Sequence, residues 1–241
     1  HLSFASVVSR ESVRIGFTIA ALNDLKVIAG DVSGAYLNAA CREKIYTVCG
    51  PEWESLQGRY AKITRALYGL ASSGASWRAT LASVLQHQME FKSCRADNDI
   101  WFKPAVKADG SKYYEYIFVY TDDILVMSAN DPKRYLMQID QHFLIKPTSI
   151  EEPKLYLGSD IAKFRYPDQP EKEYWAMGSS KYVNEAVRNV SSWLEERSMK
   201  LKQGCKTVIP SGYLPEMDGT DYCSEDEHRF YYQQIGVLRW A

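Results

Sequence analysis

Two adjacent acids interrupt an otherwise apolar stretch, YIFVYTDDILVMSAN, at residues 116–130. The residues between Tyr116 and Thr121 are aromatic or β-branched, and an apolar run resumes after the acids, so the pattern predicts two buried strands. Neighbouring side chains of a strand point to opposite faces, so Asp122 and Asp123 cannot both enter a core without compensation. A type I′ turn with both acids exposed at its tip is the simplest interpretation. A turn that presents the acids to a cleft for chemistry is the alternative.

The composition predicts a folded chain and sets loose limits on its partners. The 241 residues are 46% hydrophobic and 13% aromatic, which is enough to build a core. The net charge of −1 lacks the basic excess typical of nucleic-acid-binding proteins, although a polymerase cleft needs only local positive charge. The five cysteines are scattered without a C-x-x-C pair, which argues against a zinc site or a disulfide framework.

The chain carries no recognisable membrane span or targeting signal, because its apolar runs are too short and no basic-then-apolar leader is present. It begins without an initiator Met and stops inside an apolar pattern. We therefore expect a piece of a longer polyprotein.

Helical and strand patterns are mixed without a regular βαβ alternation, which predicts an α+β fold. The apolar spacing predicts helices over 10–24, 72–89 and 131–143. The chain after Tyr174 is also predicted to be helical, with KYVNEAVRNVSSWLEER (181–197) as its best segment. Strands are predicted over 25–31, 44–48 and 60–66, with a hairpin closed by Asp109-Gly110 and a strand or hairpin over 153–161. The Pro- and Gly-containing stretches at 167–172 and 209–219 are the predicted linkers.

A third acid lies in similar surroundings, because Asp31 also follows a short apolar strand and has small neighbours. Carboxylates at strand ends are hard oxygen ligands that suit Mg²⁺ or Mn²⁺ and not zinc. Two such ions about 4 Å apart can activate an attacking hydroxyl and neutralise a leaving phosphate. They would also relieve the repulsion that raises the pKa of at least one carboxyl group.

Five motifs occur in a fixed order along the chain: DVSGAYLNA, ALYGLASSGASW, YTDDIL, YLGSDI and QIGVLRW. Together they resemble the reverse transcriptase of copia-type LTR retrotransposons (pseudoviruses), from about residue 4 to the end. The Ser-Ser-Gly variant and the closing IGVLRWA resemble copia elements of algal genomes. The resemblance implies an α+β polymerase palm, an antiparallel sheet backed by helices, with a helical thumb segment. The palm with partial fingers would span 1–165, and the thumb or connection segment 166–241.

The resemblance also implies a metal site. Asp31 and Asp122 match the two metal-binding aspartates of the palm, and Asp123 matches the third acid. The main-chain carbonyl of Val32 would contact the metal on the nucleotide side. Two Mg²⁺ ions, for which Mn²⁺ can substitute, are the implied cofactors.

Further roles follow from the same resemblance. Tyr36 matches the aromatic gate beneath the incoming sugar, and a buried core tyrosine is the alternative. The other residues implied to bind substrate are Tyr120, Thr121, Leu70 and Ser72. The stretch Lys154–Ile161 matches the primer grip, with Tyr156, Leu157 and Gly158 at its centre. A plain bulge glycine is the alternative for Gly158.

The implied activity is that of an RNA-directed DNA polymerase, which adds deoxynucleotides to a primer 3′-OH. Its partners would be an RNA or DNA template, a primer strand and dNTPs, with no membrane. RNase H and integrase domains of the parent polyprotein are expected outside this chain. The implied location is intracellular, in the cytoplasm and within virus-like particles.

Two departures from the family pattern keep other functions open. The stretch LYGLASSGASW lacks the Lys, Gln, Pro and Arg of the usual motif, and the family's basic finger strands precede the start of this chain. A truncated, catalytically inactive remnant that at most binds nucleic acid is therefore the alternative. A different two-metal enzyme on a similar palm, such as a nuclease or a nucleotide cyclase, comes third.

The last third of the chain offers weaker candidates. Four basic residues could contact duplex phosphates or merely line a solvated helix end: Arg197, Lys200, Lys202 and Lys206. Trp193, with Val183, Val187 and Val190, has helical spacing and is predicted to form the thumb core and not a base-stacking platform.

Overall fold

A computed structural model gives the fold of the protein and describes residues 5–201, 204, 207, 209 and 212–240. The chain forms two compact units. The first comprises the chain up to Lys154 together with Ala162–Trp175, and the second comprises Leu155–Ile161 together with the residues from Ala176 onward. The candidate acids Asp31, Asp122 and Asp123 lie in the first unit.

The elements follow one another in this order: α1 (Arg10–Leu22), β1 (Lys26–Asp31), β2 (Tyr46–Val48), β3 (Tyr60–Lys62), α2 (Ser73–Ser83), β4 (Lys92–Ser93), β5 (Ile100–Val106), β6 (Lys112–Tyr120), β7 (Asp123–Ser128), α3 (Lys133–Asp140), β8 (Leu155–Tyr156), β9 (Ser159–Tyr166), β10 (Gln169–Gly178), α4 (Ser180–Glu195) and α5 (Glu225–Trp240). Short 3₁₀ turns lie at Ala35–Asn38, Pro51–Leu56, Pro147–Ser149 and Pro215–Met217, and α2 continues as one π turn over Val84–Gln88.

A five-stranded antiparallel sheet in the order β1-β7-β6-β5-β4 is the framework of the first unit. In β7, which lies between β1 and β6, every residue from Ile124 to Ser128 is buried. The strand is apolar on both sides because both faces of the sheet are covered. This explains why the run after Asp123 is continuous and not alternating.

Helices α2 and α3 cover one face of the sheet. Trp77 and Leu81 of α2 and Leu136 and Ile139 of α3 share a buried cluster with Ile117 of β6. Burying each such side chain contributes about 1.5–3 kcal/mol. The side chains that form this cluster therefore hold the helices against the strands that carry the candidate acids.

Helix α1 covers the opposite face. It begins at a serine cap, where Ser9 Oγ accepts a hydrogen bond from the Ser12 N–H group at 3.1 Å. Its Gly16 lies so close to the sheet that a Cβ atom there would be 2.5 Å from Phe118 Cζ. Glycine at this position permits the close approach of α1 to β6.

Most predicted elements are confirmed. The helices at 10–24, 72–89 and 131–143 correspond to α1, α2 with its π turn, and α3. The strands predicted at 25–31, 44–48 and 60–66 correspond to β1, β2 and β3, and the hairpin closed by Asp109-Gly110 joins β5 to β6. The hairpin predicted over 153–161 is β8 and the start of β9.

The linker predicted at 167–172 is wrong, because β10 occupies Gln169–Gly178. The best segment of the helical region predicted after Tyr174 is confirmed as α4, which begins at Ser180, whereas the residues before it belong to β10. Aromatic rings on β9 and β10 contact one another: the centroid of Tyr174 lies 5.7 Å from that of Phe164 and 5.3 Å from that of Tyr166. Such cross-strand pairs stabilise a sheet and override local helical preference.

The second unit contains two helices in contact. Trp193 of α4 stacks on Phe230 of α5, with ring centroids 4.5 Å apart and planes inclined by 5°. Val183 and Val187, predicted as core, are instead 43% and 49% exposed. That part of the thumb-core prediction is wrong: Trp193 packs against α5, whereas Val183 and Val187 of the same apolar stripe remain exposed to solvent. The linker predicted at 209–219 contains the 3₁₀ turn Pro215–Met217, while its Pro210 and Ser211 lie outside the described residues.

Candidate active site

The two adjacent acids lie at a hairpin turn of two residues. Tyr120 and Asp123 are paired across β6 and β7, which leaves Thr121 and Asp122 as the loop. Thr121 has a φ of +55°, while Asp122 is not among the residues with positive φ, so the turn is not of type I′. Positive φ is unfavourable for a β-branched residue, so the turn holds strain that surrounding contacts must support.

One such contact comes from α2. Trp77 donates a hydrogen bond of 2.7 Å from its indole Nε1 to the carbonyl oxygen of Thr121. The indole ring itself packs edge-on against Phe143, with centroids 4.9 Å apart. The LYGLASSGASW motif therefore contributes its final residue to the support of the turn, a role that the helical spacing of Trp77 did not indicate.

The third acid meets the turn across the sheet. Asp31 is the last residue of β1, and it pairs directly with Asp123 of β7. Directly paired residues of antiparallel strands present their side chains on the same face. The next residue, Val32, donates its N–H group to the Asp122 carbonyl oxygen at 2.9 Å, which ties the end of β1 to the turn. The structure thus brings together the three predicted acids and Val32.

A turn after α3 makes two hydrogen bonds and one ion pair with Asp31. The Lys146 N–H group donates to the Asp31 carbonyl oxygen at 3.0 Å, and the Asp31 N–H group donates to Ser149 Oγ at 2.8 Å. Lys146 Nζ lies 2.6 Å from Asp31 Oδ1, an oxygen that is shielded from solvent. Neither Lys146 nor Ser149 stood out in the sequence, because the contacts depend on the isolated bridge between Val32 and Ile145.

The carboxylates act on one another electrostatically. Burial, followed by the charges of Asp122 and Asp31, raises the pKa of Asp123 to about 6, and the Lys146 ammonium opposes this shift. The hydrogen bond with Asp31 raises the pKa of Lys146, and the charges of Asp122 and Asp123 add to that effect. The site therefore concentrates negative charge that favours a bound cation.

Tyr36 lies in the 3₁₀ turn after β1, close enough to Asp122 to interact with it electrostatically. Its ring is 4.6 Å from that of Tyr68, which belongs to the LYGL turn. Burial, together with the charges of Tyr68 and Asp122, raises the pKa of Tyr36. Tyr36 is partly exposed and adjoins the buried cluster, so it is not a fully buried core tyrosine.

Leu70 and Ser72 occupy the turn that leads into α2. The Leu70 N–H group donates to the Leu67 carbonyl oxygen at 3.3 Å, and the Ser72 carbonyl oxygen accepts from the Ser76 N–H group at 2.9 Å. Tyr68, in the same turn, brings this segment against Tyr36. The contacts of Leu70 and Ser72 with a nucleotide stay a prediction.

The predicted primer grip is a tight hairpin in the second unit. Tyr156 pairs with Ser159, and the two loop residues Leu157 and Gly158 have φ values of +50° and +71°. A glycine is the natural occupant of the second of these positions, so Gly158 is explained by turn geometry and not by a bulge. The part these residues play with a primer stays a prediction.

The basic residues of the last third are described only in part, because Lys202 and Lys206 lie outside the described residues. The Arg197 guanidinium lies 3.9 Å from the centroid of the Trp193 ring, and its Nη1 donates to the Trp193 carbonyl oxygen at 3.1 Å. Lys200 is exposed. Arg197, in the turn just after α4, therefore contacts Trp193 of that helix, and a contact with duplex phosphates stays a prediction.

The carboxylates near the turn are the candidate ligands for a metal ion. Within the described ranges, no group of three or more His, Cys, Asp or Glu side chains converges as a ready-made metal cluster. The donors that meet at the turn are nonetheless carboxylate oxygens, the ligands that Mg²⁺ and Mn²⁺ prefer. The raised pKa of Asp123 indicates that the acids would gain from a cation, even though Lys146 already supplies one positive charge beside Asp31 Oδ1. The residues therefore fit a hard divalent ion.

An antiparallel sheet with helices on both faces and acids at its central hairpin defines a palm-like α+β protein. Comparison with known proteins agrees: the family model described as reverse transcriptase (RNA-dependent DNA polymerase) matches residues 2–168. The chain is also 23% identical, over 199 residues, to the Transposon Ty1-NL2 Gag-Pol polyprotein of Saccharomyces cerevisiae. The chain belongs to the reverse transcriptase family, and its resemblance to the copia-type retrotransposon enzymes is confirmed.

The match to the yeast polyprotein covers 82% of this chain but only 11% of that polyprotein. The chain thus spans about a ninth of the length of the curated relative that it matches. Across the part of the chain that the structure describes, no helix is both long and apolar enough to cross a membrane.

Proposed function

We propose that this chain carries the catalytic palm of an RNA-directed DNA polymerase, which adds deoxynucleotides to a primer 3′-OH. The observation that carries the proposal is the pairing of Asp31 with Asp123 across β1 and β7, with Asp122 in the adjoining turn between β6 and β7. Membership of the reverse transcriptase family supports this choice over a nuclease or a cyclase. RNA is the first template and the new DNA strand the second.

Asp31, Asp122 and the Val32 carbonyl would hold the cations, and Asp123 would assist. When bound, two Mg²⁺ ions, or Mn²⁺ in their place, supply charge neutralisation at the phosphates and activation of the 3′-OH. The protein contributes by fixing the acids: β1 and β7 set the register, and Trp77 supports the turn. Most of the rate enhancement then comes from positioning and electrostatics.

The nucleotide site extends from the acids towards the LYGL turn. Tyr36 would lie beneath the sugar, where its ring excludes a ribose 2′-OH, and Tyr68 supports the ring by packing against it. Leu70 and Ser72 would border the base or phosphates, while Tyr120 and Thr121 would lie near the primer end. The hairpin at Tyr156, Leu157 and Gly158 would hold the primer strand.

The remaining partners follow from the parent polyprotein. RNase H and integrase domains would act from other parts of that polyprotein on the same nucleic acid. The whole would work inside the cell within virus-like particles, where template, primer and dNTPs are available.

Cation titration combined with primer extension tests the proposal. The 241-residue chain and an Asp31→Asn/Asp122→Asn variant are titrated with Mn²⁺ or Mg²⁺, with a primed RNA template and dNTPs present. Asp109→Asn, in the exposed turn between β5 and β6, is the matched control because it removes one carboxylate where asparagine is well tolerated. We expect the wild type and the control to bind the ion and extend the primer, and the double variant to do neither.

The other outcomes are distinct. Specific ion binding without primer extension would support the metal site but favour the catalytically inactive remnant. Ion binding no stronger than that of the double variant would overturn the catalytic palm altogether.

A further inference from the structure

The turn Lys146–Ser149 forms a closed ring of contacts with Asp31. Asp31 donates its N–H group to Ser149 Oγ at 2.8 Å, and Ser149 Oγ donates to the Lys146 carbonyl oxygen at 2.7 Å. The Lys146 N–H group donates a hydrogen bond to the Asp31 carbonyl oxygen at 3.0 Å, which closes the ring. The main chain of Lys146 is therefore fixed beside Asp31 whatever its side chain does.

The Lys146 side chain is placed differently from its main chain. Its Nζ lies 2.6 Å from Asp31 Oδ1, yet the lysine side chain is 52% exposed and that of Asp31 is 26% exposed. The ammonium thus neutralises a shielded carboxylate oxygen from the solvent side. It can leave that oxygen by rotating into water, and the three main-chain and hydroxyl contacts stay intact.

We propose that Lys146 is an exchangeable internal counter-ion: its ammonium neutralises the Asp31, Asp122 and Asp123 cluster and competes with a divalent cation for Asp31 Oδ1. This inference rests on the proposed function, because it assigns the cation to the same acids. It adds that the chain carries its own competitor at the site.

The competition follows from charge and space. An ammonium 2.6 Å from Oδ1 stands where a cation bound to that oxygen would be, and two positive charges cannot share it. The lysine is tethered, so it is always present at the site, whereas the cation must be supplied from solution. A divalent ion prevails at sufficient concentration because it carries twice the charge and can bind several carboxylates at once.

The test measures Mn²⁺ binding by the full chain, from the electron paramagnetic resonance signal of the unbound ion. An ion pair whose lysine is half exposed is weak, so its removal changes an equilibrium constant only a few-fold. We therefore expect Lys146→Met to bind Mn²⁺ about two- to fivefold more tightly than the wild type. Lys146→Arg keeps the competing charge and is expected to show no gain.

The matched control is Lys92→Met, which removes an exposed lysine on β4, at the opposite edge of the five-stranded sheet from β1. It corrects for the general effect of removing one positive charge, and we expect its Mn²⁺ affinity to equal that of the wild type. If Lys146→Met does not fold, Lys146→Gln provides the same loss of charge with a polar side chain.

Thermal unfolding in EDTA gives a readout that does not need the cation. Lys146→Met should lower Tm in the wild-type background and lower it less in an Asp31→Asn background, in which only the weaker interactions with Asp122 and Asp123 remain. The difference in Tm between Lys146→Met and wild type should disappear in saturating Mn²⁺.

Three results would overturn the inference. Unchanged or weaker Mn²⁺ binding by Lys146→Met, beside a wild type that binds specifically, removes the counter-ion role and leaves the proposed function standing. An equal loss of Tm in both backgrounds removes the ion pair as its cause. Wild-type binding no stronger than that of Asp31→Asn/Asp122→Asn removes both the inference and the proposed function.

Discussion

The indole Nε1 of Trp77 lies 2.7 Å from the carbonyl oxygen of Thr121 and donates a hydrogen bond to it. Thr121 has a φ of +55°, and the next residue is Asp122. A buried tryptophan of one motif thus supports the strained turn of another. This contact links the altered LYGLASSGASW stretch to the turn that carries Asp122.

Replacement of Trp77 by phenylalanine keeps the ring and removes the hydrogen bond. We expect kcat for primer extension to fall about tenfold, because the turn that carries Asp122 loses a support. The free energy of unfolding should fall by about 1 kcal/mol. Trp101→Phe, a buried tryptophan of β5, is the control and should affect stability but not kcat. An unchanged kcat in Trp77→Phe would show that the turn holds its shape alone.

Asp122→Asn is predicted to abolish extension without unfolding the protein. The rate should fall by about 10²–10³, as for the loss of a charge that acts on the reacting phosphates. The thermal midpoint should not fall, because the change removes a negative charge that acts on Asp123. Extension rates and melting curves are measured beside Asp109→Asn. Equal rates in Asp122→Asn and wild type would remove Asp122 from the chemistry.

The ring of Tyr36 is predicted to exclude ribonucleotides. Tyr36→Val opens space next to Tyr68 and should reduce the preference for dNTP over rNTP, measured as the ratio of kcat/KM, by about tenfold or more. Tyr36→Phe keeps the ring and should keep the preference. A Tyr36→Val enzyme with wild-type discrimination would show that the sugar is checked elsewhere.

A buried acid away from the site is predicted to make stability depend on pH. Glu115 is 1% exposed, and burial alone would raise its pKa; hydrogen bonds from Ser128, Tyr135 and Tyr113 and the Arg134 charge outweigh burial and lower it. The Arg134 Nη2 to Glu115 Oε1 distance is 2.8 Å.

A depressed folded-state pKa gives stability that is present above the ordinary value of 4.5 and is lost as pH falls through the folded pKa. Glu115→Gln should therefore lower the free energy of unfolding by about 2 kcal/mol at pH 7. The gap between variant and wild type should narrow below about pH 4. Urea unfolding of wild type and variant at pH 7 and below pH 4 measures this difference in the free energy of unfolding. A difference that does not change with pH would contradict the lowered pKa of Glu115.

Local patterns predicted the centre of the fold well. The aromatic and β-branched run before Thr121 and the apolar run after Asp123 are β6 and β7, and the acids between them leave room only for a short turn. The strand that ends at Asp31 was equally clear. The similar surroundings of Asp31 and of the Asp122-Asp123 pair indicated carboxylate ligands for a hard cation, and the resemblance to a known family then matched Asp31 and Asp122 to one site.

What the sequence did not indicate depends on contacts between distant residues. Lys146 and Ser149 contact Asp31 because an isolated β-bridge pairs Val32 with Ile145. A single bridge leaves no periodic pattern in the sequence from which it could be predicted. Similarly, the chain from Gln169 to Gly178 is a strand because its aromatic residues pack against β9. In both cases tertiary contacts decide the outcome.

The pairing of β1 with β7 has a consequence for how the protein is assembled. Asp31 and Asp123 come from distant parts of the chain, and only this pairing brings them together. The β6–β7 hairpin is local and can form early, whereas the β1–β7 contact closes a long loop and is expected late. Specific cation binding would therefore appear only when the sheet is complete, so that the time course of Mn²⁺ uptake during refolding reports the closing step of the folding reaction.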